Sequence, residues 1–81
     1  MNANEARDNA IKYWSNHEEV KGIIDEIRES SNLGSRFLWA GVTEQNALGI
    51  ADYLRFVGFD VAQKKGHQVG GGIGHALEIR W

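Results

Sequence analysis

Apolar positions recur along this chain with two different periods, and the switches between them mark its elements. Ala3, Ala6 and Ala10 repeat at helical spacing, with Ile11 and Trp14 beside them. Val20, Ile23, Ile24 and Ile27 stand at i, i+3, i+4 and i+7, one apolar stripe down a helix. Ser15-Asn16-His17-Glu18 separates the two patterns, and Ser15 with Glu18 has the form of a capping box. Residues 3–29 read as one kinked helix or two in tandem, and the break near Ser15 favours two. Gly22 costs the second pattern about 1 kcal/mol relative to Ala. The turn composition of Ser30-Ser31-Asn32-Leu33-Gly34 ends the helical part.

Arg36-Phe37-Leu38-Trp39-Ala40, between Gly34 and Gly41, reads as a short strand buried on both faces at its centre. Thr43 suits an N-cap, and Glu44 suits the first turn of the helix that follows. Ala47, Ile50, Ala51 and Leu54 form that helix's stripe, and Gly58 stands where a helix usually ends. In residues 59–64 the pattern alternates, with Phe59 and Val61 inward and Asp60 and Lys64 outward. In residues 76–81 Leu77, Ile79 and Trp81 share a face. The last two strands pair most simply as an antiparallel hairpin around a glycine-rich loop. The order is α-α-β-α-β-β, an α+β fold in two layers with helices on one face of a three-stranded sheet. The strand–helix–strand stretch 36–64 admits a right-handed crossover if its two strands are parallel.

Composition narrows the class. The chain has 81 residues, 42% apolar and 25% charged, which suits one small globular domain over residues 1–81. A domain of this size buries only roughly 60–65% of the surface its unfolded chain exposes. There is no cysteine, hence no disulfide and no thiolate ligand or nucleophile, which fits a reducing cytoplasm. The longest apolar run, Phe37 to Ala40, is too short to span a membrane, and the N-terminus has no signal-peptide pattern. The net charge of −2 gives no global attraction to nucleic acid. Residues 1–33 carry seven acidic against four basic side chains, and residues 34–81 carry four against five, a mild asymmetry.

Candidate chemistry centres on residues 66–75. Gly66-His67-Gln68-Val69-Gly70-Gly71-Gly72-Ile73-Gly74 holds five of the ten glycines and is followed by His75. Bare backbone N–H groups in such a run would cradle a small anion or a phosphorylated ligand. Phosphate loops, however, sit between a strand and a helix, and here a strand follows. The plainer reading is a hairpin loop that orders on a partner. His67 and His75 would face each other across the hairpin mouth, but no third ligand lies at useful spacing. No metal site or cofactor is assigned. Asp52 and Asp60 are candidates for acid–base work by position only. The serines suit turns, no nucleophile elbow is present, and no catalytic residue is assigned.

Lys64, Lys65 and His67, with Arg55 and Arg80, would form a basic edge, and Tyr53 and Phe56 lie off the helix stripe as stacking platforms for nucleic acid. Alternatively Phe56 packs on the hairpin and Tyr53 on the other helices. Eight aromatic residues are many for a core this small, so some would serve a protein interface or an oligomer contact. The candidate binding residues are therefore Lys64, Lys65, His67, Gly70, Gly71, Gly72, Gly74, His75, Tyr53 and Phe56.

Residues 23–81 also resemble a loose family of small, uncharacterised tailed-bacteriophage proteins. The matching residues are Ile23, Ile24 and Ile27, then Leu54, Gly58, Phe59 and Val61, then the closing Ile79-Arg80-Trp81. The resemblance implies a phage accessory protein of the bacterial cytoplasm that binds and inhibits a host enzyme or defence protein. It brings no catalytic residues. The expectation is thus a non-catalytic binding protein engaging a host protein through aromatic surface and the 66–75 loop. A ligand- or nucleotide-binding oligomer and a nucleic-acid-binding module are the alternatives.

Overall fold

Glycine and capping chemistry divide the chain into six elements: α1 (Ala3–Ser15), α2 (Glu18–Asn32), β1 (Phe37–Val42), α3 (Glu44–Phe56), β2 (Asp60–Val69) and β3 (Gly72–Arg80). The computed structural model describes residues 1–69 and 72–81, with side chains for residues 1–64 and 75–81. Asn2 caps α1 by accepting the Glu5 N–H at 2.9 Å. The two N-terminal helices are separate, but Ser15 and Glu18 do not form a capping box. α1 runs through Ser15, whose hydroxyl donates to the Lys12 carbonyl at 3.0 Å. His17 caps α2 instead, its Nδ1 accepting the Glu19 N–H at 3.2 Å.

The two helices that lead into strands end alike. Gly34 (φ +89°) and Gly58 (φ +108°) hold left-handed conformations. After α3, Gly58 N–H donates to the Arg55 carbonyl and Phe59 N–H to the Leu54 carbonyl. After α2, Gly34 N–H donates to Ser31 and Ser35 N–H to Ser30. Both are Schellman closures, which a side chain at the glycine would strain.

The sheet order is β1-β3-β2, with β3 antiparallel to both neighbours. β1 and β2 therefore run parallel to one another but do not touch, because β3 lies between them. This is the two-layer α+β fold expected. The core joins Val20, Ile23 and Ile27 of α2, Ala47, Ile50, Ala51 and Leu54 of α3, Ala40 and Val42 of β1, and Leu77 and Ile79 of β3. Phe59, Val61 and Trp81 pack at its margin, as the alternation predicts, and the Phe59 and Trp81 rings meet edge to face at 6.3 Å. α1 contributes no fully buried residue, and its half-buried Trp14 packs against the core from outside. Among the described residues, no helix is long and apolar enough to cross a membrane.

Two expectations about the sheet change. β1 is buried on one face only. Leu38, Ala40 and Val42 point to the helices, while Phe37 and Trp39 are each 43% exposed. The residues expected as a glycine-rich loop are largely strand. The ladder continues past a register shift at Lys65/His67 through His67↔Gly74, Gln68↔Ile73 and Val69↔Gly72.

Candidate functional site

All three helices lie on one side, so no helix covers the other face of the sheet among the described residues. The register sets its rows: Phe37–Arg80–Asp60, Trp39–Glu78–Ala62 and Gly41–Ala76–Lys64. Strand alternation places Phe37 and Trp39 next to each other on this face. Their rings meet edge to face, centroids 6.2 Å apart and planes at 90°. The Arg80 guanidinium lies 5.7 Å from the Phe37 centroid, a cation–π distance, and also pairs with Glu78. Hydrogen bonds from Arg80 hold the Glu78 carboxyl below the ordinary carboxylate value, and the charges of Arg80 and Lys64 reinforce them against desolvation. The site is an aromatic pair on β1 beside a mixed-charge strip on β3 and β2.

The expected site residues are dispersed. Lys64 lies on the face opposite the helices, half-buried and opposite Ala76. Lys65 is the cross-strand partner of His75, and His67 that of Gly74, so the two histidines are not directly opposed. Gly72 and Gly74 belong to β3, where they face Val69 and His67. Gly70 and Gly71 lie outside the described residues. His75 turns to the helix side, its Nε2 3.7 Å from Glu44 Oε1 and its buried Nδ1 without a hydrogen-bond partner among the described residues. No cluster of three metal-ligating side chains occurs among the described residues.

Tyr53 packs against the core, and Phe56 is 60% exposed. Both line an apolar groove of about 310 Å³ between α1 and α3, with Ile11, Trp14 and Gly49. The groove lies on the helix layer, away from Lys64 and the hairpin. Asp52 and Asp60 are exposed, and Asp52 pairs with Arg55 at 3.2 Å.

Sequence reasoning passed over Phe37 and Trp39 as site residues by assigning both to a buried strand. The signal was present, since their i, i+2 spacing places both on the face opposite Leu38 and Ala40.

The site belongs to an α+β domain whose described helices all pack on the opposite face of the sheet. No protein-family model, curated protein or solved structure matches the chain.

Proposed function

We propose that this chain is a non-catalytic binding domain that engages a protein partner through the sheet face opposite its helices. One observation carries the reading: Phe37 and Trp39 stand side by side, each 43% exposed, on a face that no helix covers. Aromatic side chains are enriched at protein interfaces because they bury large area at small entropic cost. Arg80 and Lys64 add positive charge to the same face, and Asp60 and Glu78 add negative charge. That mixture suits the polar rim of a protein interface. It disfavours a phosphate backbone, which Asp60 would repel. The likeness to small phage proteins supports a bacterial host protein as the partner, with inhibition by covering its surface.

A photo-crosslinking residue placed at Phe37 tests this in cells, with the same residue at Lys21 on α2 as control. The expected result is a discrete protein adduct from position 37 alone, lost when Trp39→Ser is added. Identical adducts from both positions, or adducts indifferent to Trp39→Ser, would refute the reading.

A further inference from the structure

Helix α1 docks on α3 without closing against it, and the gap has a chemistry of its own. Arg7, Ala10, Ile11 and Trp14 stand at i, i+3, i+4 and i+7, so they share one face of α1. Gly49, Asp52, Tyr53 and Phe56 have the same spacing on α3. These two faces line the groove of about 310 Å³. The helices meet closely at one point, where the Trp14 indole occupies the space that a side chain at Gly49 would need. Ala10, on the same face of α1, is too short to fill the rest. The walls of the gap are aromatic. Trp14 and Tyr53 are half-buried, and Phe56 remains 60% exposed. The volume falls at the lower end for small-molecule pockets, which run from roughly 300 to 1,000 Å³. Two charged side chains line the groove, and one of them is already paired. Asp52 holds Arg55 at 3.2 Å. Arg7 lies within ion-pair distance of no carboxylate among the described residues. Its guanidinium makes one long contact, to Asn4 Oδ1 at 3.5 Å, which leaves most of its five N–H donors to solvent or a ligand.

We propose that the α1–α3 groove binds a small aromatic carboxylate, its ring system among Trp14, Tyr53 and Phe56 and its carboxylate on Arg7. Aromatic walls favour a planar aromatic guest, which gains edge-to-face and offset contacts beyond the area it buries. A guanidinium suits a carboxylate because it offers two parallel N–H donors to the two oxygens. The charge balance selects the same guest. A cationic ligand would meet Arg7 and find Asp52 already held by Arg55. A neutral ligand would leave Arg7 without a partner. A polyphosphate would bring more negative charge than one arginine offsets, with Asp52 close by to repel it. The groove lies in the helix layer, so its failure as a ligand site leaves the reading of the sheet face standing.

Titration of the isotope-labelled full chain with naphthoate, followed by heteronuclear NMR, tests the proposal. Shifts should concentrate at the Trp14 indole N–H and the Gly49 amide and should saturate. Arg7→Gln should raise the dissociation constant about tenfold, the loss of one charge-assisted pair. Lys12→Gln removes the same charge from α1 outside the groove and should leave the constant unchanged. Naphthamide, uncharged and of the same shape, should bind the wild type about tenfold more weakly than naphthoate. Ala10→Leu fills the groove from an exposed helical position. It should abolish the shift at Gly49 while circular dichroism shows the helices intact. Equal losses from Arg7→Gln and Lys12→Gln, equal affinities for acid and amide, or a Gly49 shift that survives Ala10→Leu would overturn the proposal. So would a wild type that shows no saturable shift up to the solubility limit of naphthoate.

Discussion

Trp14 is placed to hold α1 to the domain, and Gly49 makes room for it. A Cβ built on Gly49 would lie 2.1 Å from Trp14 Cζ2 and 2.6 Å from Cε2, far inside contact distance. Gly49→Ala therefore forces the indole off α3. α1 has no fully buried side chain that would hold it in compensation. Displacing about half of an indole's roughly 150–250 Å² of buried surface, at about 25 cal/mol per Å², costs about 2–3 kcal/mol. Replacing a mid-helix glycine by alanine returns about 1 kcal/mol of helix propensity. The net loss is about 1–2 kcal/mol, a fall in Tm of about 5–15 °C for a domain of this size. Urea denaturation followed by circular dichroism measures it. Repeating the substitution in a Trp14→Ala background reverses the sign, because the clash is gone and about 0.5–1 kcal/mol of propensity remains. Stabilisation by Gly49→Ala in the wild type, or destabilisation in the Trp14→Ala background, would refute the reasoning.

Two further substitutions test how the domain is joined. Glu19 ties α2 to the start of α3, accepting the Thr43 N–H at 3.1 Å and the Thr43 hydroxyl and Asn46 amide at 2.8 Å each. Burial raises its pKa, but the hydrogen bonds from Asn46 and Thr43, with the charge of His17, outweigh it and hold the group below its ordinary 4.5. Its stabilisation is therefore complete above the ordinary carboxylate range and is lost as pH falls through the depressed value. Glu19→Ala should cost about 1–2 kcal/mol at pH 7, and the gap to wild type should shrink in acid melts; a gap independent of pH would contradict this. Gly58→Ala, at φ +108° with open space around the absent Cβ, isolates backbone strain and should cost about 1–2 kcal/mol by chemical denaturation.

The helices α2 and α3 were legible because each writes its buried face as an unbroken i, i+3, i+4, i+7 stripe, and Gly58 marks where α3 stops. The α2 start was read one turn chemistry too early. Ser15 and Glu18 have capping-box spacing, but α1 needs Ser15 as its last residue, so His17 takes the capping role. The extent of the hairpin was hidden for a different reason. Glycine is depleted in strands, so residues 66–74 read as loop, whereas cross-strand hydrogen bonds need only backbone. The last two strands pair as the hairpin expected, but the place of β1 was open, since the order β1-β3-β2 depends on packing across the whole sheet.

The face opposite the helices was the least legible part, and its chemistry explains why. Phe37-Leu38-Trp39-Ala40 is apolar at every position, the pattern of a strand covered on both sides. Only the count of layers separates that from a half-exposed strand, and all three described helices pack on one side. At exposed strand positions Thr or Lys would satisfy the fold with no apolar surface left in water. Phe37 stands there instead, 43% exposed, with Trp39 beside it and the Arg80 guanidinium 5.7 Å from its ring centroid. Tyr53 and Phe56, chosen from sequence because they leave the α3 stripe, are accounted for locally, since both line the groove beside Trp14 where α1 docks. The large exposed aromatics that the α1–α3 groove does not account for are therefore on the sheet, and the proposed binding face is built on that pair, Phe37 beside Trp39.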